Sequence, residues 1–138
     1  RIVNRVAPAI HDSRHVWFYK QKLDPEKMHK AAQYLLGEHD FTTFRDTKCQ
    51  AKSPVRTLDR LDVETKPYDS YGGQEILVYA EGRSFLHHQV RNMVGTLVLV
   101  GKGNWKPIDV KYALEACDRA AGGPTAPADG LYFVKVDY

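Results

Sequence analysis

Between residues 87 and 92 the chain places two adjacent histidines, His87 and His88, close to an Arg91–Asn92 pair. Imidazoles move protons or ligate metals, a guanidinium is a permanent cation with a planar fork of donors, and an amide both donates and accepts. On a helix, His87 and Arg91 lie four apart, as do His88 and Asn92, so all four share one surface. Such a surface either faces solvent or lines a cleft, and spacing alone does not choose. It does argue against a metal. HHxxR lacks the HExxH arrangement, and no neighbouring Asp, Glu or Cys completes a ligand set, so no metal is expected.

The two cysteines, Cys49 and Cys117, are far apart and in no CxxC pattern. They read as reduced thiols of a cytoplasmic protein, buried as small hydrophobes. A second group of candidates is basic: Arg45, Lys48, Lys52 and Arg56, with Arg119 further on. Residues 1–60 hold 12 Lys and Arg against 7 Asp and Glu, whereas residues 61–138 hold 8 against 10. The net charge of +3 alone is too small to demand nucleic acid. The concentrated basic half fits either a phosphate-tracking surface or a solvated loop.

Elements must hold these side chains, and 138 residues with 43% hydrophobic content suffice for one domain with its own core. No apolar run approaches a membrane span, and no signal peptide is visible. The chain opens at Arg1 and its first methionine is Met28, which reads as a truncation. Residues 1–4 read as the end of a strand and 16–19 as another. Asp24-Pro25 gives an N-cap with proline at the first helical position, and that helix runs to about 36, before Gly37. Residues 39–54 read as a long polar loop, and 58–65 and 75–82 as a hairpin.

The strongest periodicity lies in 84–100. Leu86, Val90, Met93, Val94, Leu97 and Val98 form one apolar helix face, interrupted by Gly95 and Thr96. That face suits a core or a subunit interface. Pro107 opens a further helix, 120–130 is a Gly/Pro/Ala loop, and 131–136 closes as a strand. The order β, α, β, β, α, α, β predicts an α+β domain, an antiparallel sheet with helices packed on one face.

Four stretches then carry a resemblance. FLHHQVRNMVG at 85–95 resembles the signature helix of the TruA-type tRNA pseudouridine synthases. HDFTTFR at 39–45 resembles that family's HDFTSFR stretch, with Thr43 where the family has serine, and CQAKSP at 49–54 resembles its CQAKSP loop. Gly130-Leu131-Tyr132 and the final Val136-Asp137-Tyr138 resemble its closing strand. The matches fall in order along most of the chain.

The resemblance implies the C-terminal domain of such an enzyme, with ferredoxin-like βαββαβ elements. It implies isomerisation of uridine to pseudouridine in the tRNA anticodon stem-loop, a homodimeric whole protein, and no cofactor. The family's nucleophile is an aspartate in a GRTDAGVH-like motif, which is not in this sequence. By the same resemblance Arg91 matches the arginine that pairs with that carboxylate, and Leu131 the apolar residue near the target base. His87 and His88 would touch RNA or shape the cleft, and Arg45, Lys48, Lys52, Arg56 and Arg119 would meet phosphates. The competing readings are a non-catalytic RNA-binding module and a dimerisation module.

Overall fold

A computed structural model describes residues 1–5, 15–46, 52–70 and 72–132 of the chain. The first helix, α1 (Pro25–Gln33), starts as the sequence predicts. The Asp24 carboxylate accepts from the amides of Glu26 and Lys27, and proline fills the first position, where no amide is needed. Met28, Ala31 and Ala32 face the core, which accounts for their helical spacing. At Gly37, φ is +96°, a conformation that side chains disfavour, and there the chain turns into a strand.

Five strands form one sheet in the order β2-β1-β5-β4-β3. Strand β1 (Ile2–Asn4) lies parallel to β2 (Trp17–Tyr19) and antiparallel to β5 (Gln74–Gly82). Strand β4 (Val55–Pro67) runs antiparallel to β5 and to the short β3 (Gly37–Asp40). The sheet is therefore mixed, not wholly antiparallel as the sequence reading has it. Residues 5–16 supply a connection of the length that a parallel pair requires. A register shift between Leu58 and Arg60 inserts an extra residue into β4, so Leu58 and Leu61 reach the same core although three apart.

The fold is α+β: this sheet with α1, α2 (Gln89–Gly101) and α3 (Pro107–Ala116). The described elements run β1-β2-α1-β3-β4-β5-α2-α3, which differs from the expected βαββαβ order. Leu86, Met93, Leu97 and Val98 join Leu61 and Ile76 in one core. Most of the apolar stripe of α2 is thus covered within the chain, while Val90 and Val94 are only partly buried.

Three local expectations need correction. Residues 39–54 are not one polar loop: β3 takes the first two, and a 3₁₀ turn, Thr42–Phe44, follows. Phe41, just before that turn, and Phe44, its last residue, are fully buried, and Thr43 is buried with its hydroxyl donating to the Ala113 carbonyl. Helix α2 begins at Gln89, five residues later than the periodicity suggests. His88 stands at φ 62°, ψ 8°, which ends any helix running back through it, and the Gln89 side chain accepts the Leu86 amide instead. Leu131 follows another 3₁₀ turn, Ala128–Gly130, in extended backbone without strand pairing among the described residues. The remainder of the expected closing strand, 133–138, lies outside the described residues. No helix among the described residues is long and apolar enough to cross a membrane.

Candidate functional site

Helix α2 meets the segment 122–127 at backbone distance. A Cβ on Gly95 would fall 1.7 Å from the Pro124 carbonyl oxygen, and one on Gly123 would fall 2.8 Å from the Thr96 Cα. The two residues that interrupt the apolar run are therefore the seat of this segment. Thr96 Oγ1 accepts the Gly123 amide at 2.9 Å while donating to the Asn92 carbonyl. Asn92 is almost completely buried and satisfied on both ends of its amide. Its Nδ2 donates to the Phe44 carbonyl at 2.8 Å, and its Oδ1 accepts from Arg119 Nη2 at 3.1 Å and from Thr125 Oγ1 at 2.5 Å.

Arg91 turns the other way. Its Nε donates to the Ala126 carbonyl at 2.8 Å, and its own carbonyl accepts the Ala126 amide at 3.0 Å. It lines a cleft of about 270 Å³ together with Leu131, so two candidates forty positions apart in sequence share one concave surface. The rest of the wall is mostly apolar, with Trp17, Leu77, Tyr79, Val90, Val94 and Tyr132 contributing. Among the described residues no carboxylate pairs with Arg91. Leu131 is half exposed, as a side chain that borders an open cleft must be.

Arg1 also reaches this cleft, with its Nε 2.5 Å from Oε1 of the buried Glu75. The Glu75 carboxylate holds that guanidinium above its ordinary pKa, more than offsetting the desolvation that opposes it. Sequence reasoning did not find Arg1, Trp17, Tyr79 or Tyr132 as cleft residues. Only the parallel β1–β2 pair brings Trp17 into the sheet, one strand away from β5, and no local pattern encodes that placement.

His87 and His88 do not share a surface with Arg91 and Asn92. They precede the helix, and their rings stack with centroids 3.8 Å apart over Asp46. His88 Nδ1 lies 2.7 Å from Asp46 Oδ2, His87 Nε2 lies 4.0 Å from it, and the Asp46 amide donates to the His87 carbonyl at 3.0 Å. The sequence places no acid beside the two histidines, but the fold brings Asp46 to them, so the lack of a nearby carboxylate no longer speaks against a metal. A different objection takes its place. Imidazole lone pairs lie in the ring plane, and two rings stacked within 28° of parallel cannot aim both at one ion without unstacking. The cluster reads as a hydrogen-bonded entrance to α2.

None of the basic candidates among the described residues lines the cleft. Lys52 is exposed, and Arg45 is half-buried beside Asp46 in sequence. Arg56 folds back so that Nη1 donates to the Ser53 and Val55 carbonyls. Arg119 is engaged with Asn92 and Thr125. Lys48 lies outside the described residues, as does Cys49. Cys117 is exposed in a left-handed conformation after α3, not buried as expected, because the end of that helix lies at the surface.

A family model described as tRNA pseudouridine synthase matches residues 31–138. The chain is 56% identical over its full length to a tRNA pseudouridine synthase A of Paramagnetospirillum magneticum, covering 52% of that protein. It is likewise 56% identical to one of Erythrobacter litoralis, covering 53%, and 54% identical to one of Rhodospirillum rubrum, covering 48%. The chain thus spans about half the length of the curated relatives it matches. Matched over most of its length, with Arg91 and Leu131 both inside the matched region, the chain belongs to the tRNA pseudouridine synthase A (TruA) family.

Proposed function

We propose that this chain is the C-terminal domain of a tRNA pseudouridine synthase and supplies Arg91 and Leu131 to a site completed by an aspartate from the other half. The observation that carries this reading is the state of Arg91. It is anchored at one nitrogen on the Ala126 carbonyl, lines an apolar cleft, and has no carboxylate partner among the described residues. A guanidinium in that setting suits an incoming carboxylate, because its charge is permanent and its fork is planar.

The reaction detaches uracil from ribose at nitrogen and rejoins it through carbon 5, which loses its hydrogen as a proton. The base must leave the stack and enter a pocket, and the attacking carboxylate must be ionised and aimed. Arg91 keeps that carboxylate charged and oriented. Leu131, with Trp17, Tyr79 and Tyr132, forms a wall that excludes water from the turning base. No step needs a cofactor. Lys48, Lys52 and Arg45, with the exposed His87, are the RNA contacts we assign, because phosphate neutralisation supplies affinity without reading sequence. Arg56, Arg119 and His88 serve the RNA surface indirectly, through the local structure they hold. The working protein is a cytoplasmic homodimer in this reading.

Tritium at uracil C5 is released as the product forms, so labelled tRNA reports turnover directly. In the full-length protein, Arg91→Ala should lose about 100- to 1,000-fold in kcat while tRNA binding stays within a few-fold. An unchanged rate removes Arg91 from the reaction. The 138-residue chain by itself should release no tritium, and release by the pure chain would overturn the shared-site reading.

A further inference from the structure

Arg91 is held through one short segment of irregular backbone. Its Nε and its carbonyl both bond Ala126, so the guanidinium and residues 122–127 move together. The segment has no helix or strand to fix it, so beyond the Ala126–Arg91 backbone bond its place depends on side chains. Four side-chain bonds do this work: Thr125 Oγ1 donates to Asn92 Oδ1, Arg119 Nη2 donates to the same oxygen and to Thr125 Oγ1, and the Gly123 amide donates to Thr96 Oγ1. Asn92 in turn is fixed by its Nδ2 bond to the Phe44 carbonyl in the buried 3₁₀ turn.

We infer that Asn92 and Thr125 are positioning residues for Arg91: the amide of one and the hydroxyl of the other hold Ala126 where the guanidinium enters the cleft in a single orientation. Oδ1 of Asn92 has two lone pairs, and Arg119 and Thr125 occupy both. No other side chain of similar size offers a two-acceptor oxygen together with a donor for Phe44. The device acts at a distance, since neither Asn92 nor Thr125 lines the cleft. It rests on the role assigned to Arg91 above.

A merely structural network would show itself in stability, and the choice of variant separates the two roles. Asn92→Ala removes a buried amide and endangers folding. Thr125 is exposed, and after Thr125→Val the Asn92 Oδ1 left behind still accepts from Arg119, so the variant deletes the hydroxyl without orphaning a buried acceptor. In the full-length protein, Thr125→Val should lower kcat about tenfold, with KM for tRNA and the melting temperature essentially unchanged, since small misplacements of a catalytic group cost this much or more. Thr125→Ser restores the hydroxyl and should return kcat to within about twofold, as the same bond re-forms. A Thr125→Val protein with wild-type kcat overturns the inference. So does one whose kcat, KM and melting temperature all fall together and are not restored by serine. Arg91→Lys, assayed alongside, separates this failure from that of the underlying reading. Wild-type turnover in Arg91→Lys sinks the role of Arg91 itself, whereas a dead Arg91→Lys beside an active Thr125→Val sinks only the positioning role.

Discussion

Arg91 and Asn92 are neighbours on one turn of α2, yet the fold treats them oppositely. Asn92 is buried, and its amide makes three hydrogen bonds, to Phe44, Arg119 and Thr125. Arg91 makes one side-chain bond among the described residues and otherwise lines a mostly apolar cleft. A guanidinium has five N–H donors, and most of those of Arg91, lacking a protein acceptor among the described residues, are left to solvent or to an incoming partner in the cleft. A saturated residue beside an unsaturated one therefore marks where structure ends and chemistry begins. The sharpest test is to remove each and measure both stability and turnover.

The largest contrast should come from Arg91 itself. Its replacement by alanine affects the barrier by about 3–4 kcal/mol, by the scale of lost transition-state electrostatics, but costs stability only about 1 kcal/mol for the Ala126 bond. Asn92→Ala should show the reverse ranking, with stability dropping by about 2–3 kcal/mol because the Phe44 carbonyl and the Arg119 guanidinium both lose a buried partner. Denaturant melts paired with tritium release distinguish them. If Asn92→Ala melts like the wild type, the buried amide is not the anchor described here.

Gly95→Ala ranks next. Alanine is the better helix former by about 1 kcal/mol, so propensity alone predicts a gain. The Pro124 carbonyl at 1.7 Å from the new Cβ predicts the opposite, since backbone must move. Overpacking typically costs about 1–3 kcal/mol, and here it also strains the Arg91–Ala126 tie, so the variant should be net destabilised and slower. Hydrogen exchange at the Ala126 and Gly123 amides should accelerate with it. Unchanged protection there would show that the segment is not seated on the helix as closely as the structure has it.

These residues also show what the sequence can carry. Periodicity finds α2 because its apolar stripe repeats every three to four residues and is buried over Met93, Leu97 and Val98. Asp24-Pro25 finds the start of α1 because capping is a local interaction. The same logic misplaces the start of α2 by five residues. His88 takes its left-handed conformation beside Asp46, some forty residues away, and no nearby residue announces it. The parallel β1–β2 pairing, Thr125 on Asn92 and Trp17 in the cleft are likewise long-range. Family resemblance, not spacing, singles out Arg91 and Leu131, and spacing would have grouped Arg91 with the wrong histidines.

The smallest expected effect concerns His88, the residue that separates the two regimes. A non-glycine side chain in the left-handed region costs about 1 kcal/mol, and the hydrogen bond to the half-buried Asp46 offsets much of it. His88→Ala keeps the backbone penalty and loses the bond, so stability should fall by about 1 kcal/mol. His88→Gly loses the same bond but relieves the backbone, and should stay within about 0.5 kcal/mol of the wild type. The gap between the two variants measures the conformational cost directly, because both lack the imidazole. If alanine and glycine prove equal, the left-handed turn is not what ends α2, and the helix extends back toward residue 84 as the periodicity alone suggests.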